Sequence, residues 1–265
     1  HRCYNLGMDI DLSKLSALKD KDFSGLGLMA LEGRIVIEKA LEAGIAPLLV
    51  VRSDESGEAW LAKYSPALPV RSMSHEELCG LTGFRFHHGA IALARTPELK
   101  PFPVAELSDD ADASYLCLWN VTDPSNVGAL IRSAAGLGAS GVILGPGCAD
   151  PYYRKALRAS MGNAFSLPLF SGDVPGLSRL AAAGFDLAAA TLSPRAFPLG
   201  EFAPRRPFVL LVGNEGFGLP AEAVGLCRGE VYIPMAAGID SLNVVVAGGI
   251  CMYALFGRNG NLRRP

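Results

Sequence analysis

The sequence predicts an α/β protein in two parts: a smaller α/β unit, then a larger domain built on a parallel sheet with helices on both faces. Three observations point to this. In the C-terminal half, continuous apolar runs alternate with helical segments, the signature of strands buried on both sides. Between the halves, residues 96–113 carry three prolines and clustered acids with no helical or strand period, which marks an interdomain junction. Charge also divides there, with 12 Lys+Arg against 16 Asp+Glu in residues 1–110 and 12 against 10 in residues 111–265. The domains are therefore placed at 1–106 and 115–265, with a linker at 107–114.

Taken in order, Leu31 to Ala43 sets Ile35, Val36, Ala40 and Leu41 among charges at helical spacing, and Gly44 ends that helix. Leu48–Val51 is a short buried strand. Ser74 followed by Glu77 opens a second helix as a capping box. Ala90–Ala94 closes the first part as a strand. In the second part, strands are expected at 116–119, 142–144, 187–190, 208–212 and 231–233, and helices at 126–138, 152–161, 175–183 and 219–226. The apolar run from Val244 to Phe256 holds thirteen residues and two glycines. A bilayer span needs about 20, so this is a core or interface helix and no membrane partner is expected.

Composition excludes several classes. Hydrophobic residues make up 50%, charged residues 19%, and the mean hydropathy is +0.27, which is incompatible with disorder. The net charge of −2 and pI near 6.1 exclude nucleic-acid binding by bulk charge, so any such contact uses a local patch. The opening residues HRCYNLGMDIDLSKLS begin on His1 and contain no apolar core, unlike a secretory signal. Cysteines stand at 3, 79, 117, 148, 227 and 251 with no CxxC pair. Neither a disulfide framework nor a metal site is expected; buried thiols in a reducing cytoplasm are.

One motif misleads. Gly136-Leu-Gly138-Ala-Ser-Gly141 matches the dinucleotide fingerprint GxGxxG, but that fingerprint needs a strand before it and a helix after it. Here a helix precedes and a strand follows, so the glycines read as a helix C-cap and turn.

Three segments carry chemistry. In DPSNVGALIR (123–132), Pro124 with Ser125 or Asn126 starts a helix directly after a strand. Gly128 and Arg132 lie one turn apart, so the glycine leaves room into which a permanent cation points. A helix start plus an arginine at the carboxyl side of a parallel sheet suits a phosphate; the plainer alternative is a capped helix with a surface arginine. In FVLLVGNEGFGL (208–219), an apolar strand enters a loop with three glycines around Glu215. Glycine there permits close approach of backbone to a ligand, or else the loop is a simple turn in which Glu215 caps a helix. In IPMAAGIDSLNVVVA (233–247), Ser241 is a natural N-cap. Asn243 is a polar residue in the first turn of an apolar helix and needs partners. Gly248 and Gly249 suit a tight subunit contact.

In this order, the three segments resemble the SpoU (TrmH-like) RNA 2′-O-ribose methyltransferases of the SPOUT superfamily, whose pattern is DPxNxGxxxR, then GxEGxGL, then IPMxGxxxSLNVxxA. The likeness covers residues 115–265, and RASMGNAFSLPLF (158–170) resembles the family's intermediate segment. Upstream, LEGRIVIEKALEAG (31–44) and HHGAIALAR (87–95) are similar to the ribosomal-protein-like RNA-binding domain appended to many members. Val245 departs from the serine common at that position.

The resemblance implies a trefoil knot in the C-terminal domain, which general topology rules would have argued against. It implies S-adenosylmethionine as methyl donor and a homodimer with sites near the subunit interface. By motif position, Gly213, Ile233 and Leu242 hold the cofactor, and Thr191 lines the same pocket. Asn126, Arg132, Glu215, Ser241 and Asn243 carry over as the reacting cluster. The four histidines, at 1, 75, 87 and 88, lie outside the catalytic half. The resemblance implies Arg132 as the participant in proton removal; a free guanidinium keeps its proton at neutral pH, so its first role is to hold phosphate and stabilise developing alkoxide charge, with proton transfer by Arg132 left open. RNA contact is expected from Arg154, Lys155 and Arg158, with Arg34 in the first domain; a solvated helix face is the alternative. Ribosomal RNA is favoured over transfer RNA by the appended domain. Two other functions compete: an RNA-binding protein of the same fold without catalysis, and a nucleotide-dependent oxidoreductase resting on the GxGxxG match alone.

Overall fold

The computed structural model describes residues 20–53, 59–64, 68–82, 89–104, 112–214 and 216–256. Most of the expected linker lies outside these residues, as do His1, Cys3, His87, His88 and Glu215. The chain forms two compact units, one of residues up to 97 together with 152–165, the other of residues 98–151 with 166–265.

The first unit contains a four-stranded sheet in the order β1-β4-β2-β3, from β1 (Leu28–Glu32), β2 (Leu49–Ser53), β3 (Val70–Met73) and β4 (Ala90–Arg95). Strand β4 is antiparallel to both neighbours, and β2 and β3 are parallel. On one face Leu28 and Ala30 pack with Phe23 of α1 (Asp20–Gly25) and Leu78 of α4 (His75–Thr82). Met29 and Leu31 alternate to the other side and are also buried. Helix α2 (Arg34–Glu42) buries Val36, Ile37 and Ala40 and packs on β1 and β4. A short α3 (Ala59–Ala62) joins β2 to β3.

The helix expected over 31–43 is thus a strand followed by a helix. Leu31 pairs with Ala92 in the sheet, and Gly33, at φ 89°, turns the chain before α2 begins. Four residues of apolar periodicity on a helix could not reveal a five-residue strand in front of it. The capping box is present: the Ser74 backbone N–H donates to Glu77 Oε2 at 2.9 Å, and the Glu77 N–H to Ser74 Oγ at 3.2 Å. The first of these bonds, with the Ser74 hydroxyl donating to the same Oε2 at 2.9 Å, holds the Glu77 carboxyl below its ordinary range.

The second unit is a seven-stranded sheet in the order β7-β6-β5-β10-β8-β11-β9, parallel at every pairing. Its strands are β5 (Ser114–Trp119), β6 (Gly141–Leu144), β7 (Leu169–Ser171), β8 (Asp186–Ala190), β9 (Phe197–Pro198), β10 (Phe208–Gly213) and β11 (Gly229–Tyr232). All six residues of β5 are buried, as a central strand covered on both faces requires. Tyr115, Cys117, Leu187, Val209 and Leu211 pack with Leu177 and Leu180 of α7 (Val174–Ala182). Helices α5 (Pro124–Gly136) and α9 (Val244–Phe256) pack on each other, and α9 packs on β10. The short α8 (Ala221–Val224) precedes β11.

Helix α6 (Arg154–Ala159) follows β6 in sequence yet belongs to the first unit, where it packs on β1. Helix α5 is capped by Asp123, whose Oδ1 accepts from the Ser125 N–H at 2.8 Å, with Pro124 in the first turn. It ends in a Schellman motif: Gly138 sits at φ 77°, the Ala139 N–H reaches the Ala134 carbonyl at 2.9 Å, and β6 follows. The GxGxxG match is therefore a helix exit.

Candidate functional site

The carboxyl ends of β8, β10 and β11 surround a cavity of about 470 Å³, within the roughly 300–1,000 Å³ range of small-molecule sites. Parallel α/β sheets bind ligands at this edge because the strand-to-helix loops gather there. The loop 216–219 and the segment 233–242 form further walls, closed by Val244, Ala247 and Cys251 of α9.

All four sequence-predicted cofactor residues, Thr191, Gly213, Ile233 and Leu242, line this cavity, and so does Ser241. The walls are mostly apolar, with Val212, Met235 and Leu219 among them. Burial pushes the Cys251 thiol up to about 12, so it is a neutral wall rather than a nucleophile. The site offers an apolar slot, a hydroxyl from Thr191, a carboxylate from Glu230 and backbone groups of three loops. Those residues suit a small, largely apolar ligand that also presents a few polar groups.

Gly213 has a reason to be glycine beyond the one expected. A Cβ there would stand 2.5 Å from both the carbonyl carbon and the oxygen of Gly218 and 2.9 Å from the Leu219 nitrogen. The space beside it is filled by the chain's own loop, so Gly213 lets the 216–219 wall close over the end of β10.

Asn126, Arg132 and Asn243 do not line the cavity. Arg132 is exposed on α5 and, among the described residues, has no ion-pair partner. Gly128, expected to leave open space beside it, is buried within α5. Asn243 is the N-cap of α9: its Oδ1 accepts from the Val245 N–H at 2.9 Å, and its carbonyl accepts from the Ala247 N–H at 2.9 Å. The capping role expected of Ser241 belongs to Asn243, which answers the question of its partners and leaves Ser241 exposed at the cavity. Gly248 makes its close approach inside the chain, where a Cβ would meet Leu130 Cδ2 of α5 at 2.6 Å; Gly249 faces open space.

Two residues escaped the sequence reading. Asn214 ties the motif loops together: its Oδ1 accepts from the Gly216 and Phe217 N–H groups at 2.8 and 3.1 Å, and its Nδ2 donates to the Asn120 carbonyl at 3.0 Å. An Asn entering a glycine-rich turn is a natural Asx-turn former, so the signal was available. Asn120 itself holds φ 54°, a left-handed conformation that asparagine tolerates better than most residues. Glu230 is the second, an acid on a half-buried strand whose sequence context gave no warning.

The cationic candidates divide. Arg154 and Arg158 of α6 both reach Glu32, whose side chain is 1% exposed, and Arg154 also lies over the Phe23 ring. They neutralise a buried carboxylate within the first unit. Lys155 is exposed on the same helix. Arg34 is exposed, pairs with Glu38 at 3.1 Å and lies 5.8 Å from the Trp60 ring centre.

A profile of the SpoU rRNA Methylase family matches residues 113–253. An uncharacterized tRNA/rRNA methyltransferase of Mycobacterium bovis is 35% identical over 241 residues, spanning 87% of this chain and 81% of that one. The 23S rRNA (guanosine(2553)-2′-O)-methyltransferase RlmP of Bacillus subtilis is 28% identical over 249 residues, spanning 93% and 95%. Among solved structures, an AdoMet-bound rRNA methyltransferase of Sinorhizobium meliloti superposes with a TM-score of 0.79 at 26% identity, covering 92% of this chain and 91% of that one.

Proposed function

The chain belongs to the SpoU rRNA methylase family, and from that premise we propose that it transfers a methyl group from S-adenosylmethionine to a ribose 2′-hydroxyl of ribosomal RNA. Its second unit has the parallel-sheet α/β trefoil-knot fold of the SPOUT methyltransferases. The observation that carries the reading is the convergence of Thr191, Gly213 and the 233–242 segment on one cavity at the sheet's carboxyl edge.

When bound, the cofactor supplies a methyl group already activated by its sulfonium. The protein's tasks are to orient the hydroxyl and to assist loss of its proton. Thr191, Gly213, Ile233 and Leu242 hold the donor. Arg132 offers a planar fork of donors, so it anchors an RNA phosphate and stabilises the developing alkoxide. Asn126, Glu215, Ser241 and Asn243 complete the reacting cluster, Asn243 by fixing the start of α9 beside the cavity.

Arg132 stands apart from the cavity of its own chain, which accords with a site completed by a second subunit. Val246, Ile250 and Tyr253 of α9 are exposed at 50%, 39% and 68% and recur at helical spacing on one face. We propose that this stripe forms a homodimer; sedimentation as a monomer at micromolar concentration would refute it. RNA recognition is assigned to the N-terminal domain (1–106), through Arg34, and to Lys155, Arg154 and Arg158; catalysis is assigned to 115–265. The cytoplasm is the proposed compartment. No helix of the described residues is long and apolar enough to cross a membrane.

The test is single-turnover methyl transfer to RNA, with cofactor binding measured in parallel. Arg132→Ala should lose about 10²–10³ in rate and keep cofactor affinity. Arg132→Lys keeps the charge but not the planar fork, so it should stay strongly impaired. Transfer by Arg132→Ala at the wild-type rate would overturn the assignment.

A further inference from the structure

We propose that Glu230 is a specificity residue that biases the cofactor pocket toward the cationic methyl donor and against its demethylated, uncharged-sulfur product. The inference rests on the reading that this cavity holds S-adenosylmethionine.

Glu230 lies in the middle of β11, paired in register with Ala189 of β8. Its side chain is 14% exposed and faces the cavity. Among the described residues lining that cavity it is the one carboxylate, and no lysine, arginine or histidine stands with it. The carboxylate is held in place. Oε2 accepts from Thr191 Oγ1 at 2.9 Å, and Thr191 is fixed by its own N–H donating to the Val231 carbonyl at 3.0 Å.

Among the described residues Arg195 pairs with it, its Nη2 3.6 Å from Oε1 on a side chain 86% exposed. An ion pair of that length and exposure neutralises little. A net negative charge therefore remains on a mostly apolar wall, where the effective dielectric is below that of water and Coulomb interactions strengthen. Methyl transfer removes one unit of positive charge from the sulfur and leaves the rest of the molecule unchanged. Contacts shared by donor and product cancel in the ratio of their affinities, and the ratio isolates the charge. Glu230 thereby favours donor entry and product release.

The experiment is calorimetric titration of the intact protein with three ligands: S-adenosylmethionine, S-adenosylhomocysteine, and sinefungin, in which an amine carries a positive charge near the sulfur position. Glu230→Gln retains an oxygen to accept from Thr191. One unit charge acting across such a cavity is worth about three- to thirtyfold in affinity. Glu230→Gln should therefore weaken the two cationic ligands by that factor and leave the homocysteine compound within about twofold. Arg195→Ala should move the donor-to-product ratio the opposite way, because the carboxylate loses its partial counter-charge. Equal weakening of all three ligands by Glu230→Gln, no change in any of them, or a shift of the ratio by Arg195→Ala in the same direction would overturn the proposal. Failure of the wild-type protein to bind any of the three overturns the reading of the cavity itself, and the inference with it.

Discussion

Replacing Gly213 by alanine adds one methyl group where the structure has no room for it. The new carbon would lie 2.5 Å from the Gly218 carbonyl carbon and oxygen, against an optimum near 3.5–4.0 Å. Relief requires a shift of about 1 Å, and the obstacle is backbone, which cannot rotate away as a side chain does. Overpacking of this kind costs about 1–3 kcal/mol. Strand β10 is central and tightly registered between β5 and β8, so the 216–219 loop is the part that yields. That loop is a wall of the cofactor cavity. If its displacement absorbs the strain, the binding-competent fraction falls, and apparent affinity falls about 5- to 150-fold.

Two neighbouring glycines calibrate this effect. Gly218 has open space around a Cβ but a φ of +65°, so alanine there costs about 1–2 kcal/mol of backbone strain. Gly216 would place a Cβ 3.4 Å from Asn214 Oδ1, close to an ordinary contact, and should be near neutral. Calorimetry with S-adenosylmethionine and a thermal melt on each variant give the ranking. Wild-type affinity in Gly213→Ala, or a larger loss in Gly216→Ala, would refute the steric reasoning.

Other outcomes follow from the same structure. Gly248→Leu should destabilise the protein by about 1–3 kcal/mol, because a Cβ would stand 2.6 Å from Leu130 Cδ2 between α9 and α5; Gly249→Ala, in open space, should not, and urea titration distinguishes them. Replacing Arg154 and Arg158 together strands the buried Glu32 carboxylate and should cost about 3–5 kcal/mol. Glu32→Gln should cost less, since both arginines are partly exposed and can rehydrate; the reverse order would contradict the pairing. Burial raises the Cys227 and Cys251 thiols from an ordinary 9.0 to about 12. The fold therefore retains protons that the unfolded chain loses, and stability present below pH 9 should decline as pH rises toward 12. Denaturation at pH 8 and pH 11 measures that slope, which should shrink in the Cys227→Ala, Cys251→Ala double variant.

The sheet of the second unit was legible because its strands are continuous apolar runs separated by turn residues. Leu116–Trp119 and Phe208–Val212 each reappear within a strand only slightly longer. The edge strands β7 and β9 were missed because three and two residues carry no period. The first unit was read less well: β1 runs almost directly into α2, and only the positive φ of Gly33 separates them. In the site, glycines were recognised as constrained, but the crowding of Gly213 by its own loop was not foreseen. A glycine beside a ligand and a glycine beneath its own loop look alike in sequence, and only the neighbour at 2.5 Å distinguishes them. Ser241 and Asn243 both cap helices well, so composition could not choose between them. That α6 joins the first unit depends on Glu32, more than a hundred residues upstream, a distance over which no local pattern reaches.

The most direct test of the central claim is nucleoside analysis by mass spectrometry of ribosomal RNA incubated with the protein and S-adenosylmethionine carrying a labelled methyl group. Label is expected in a 2′-O-methylated nucleoside with the wild-type protein, accumulating about 10²–10³-fold more slowly with Arg132→Ala. Label on a base instead of the ribose, or no transfer to ribosomal RNA from this donor, would contradict it.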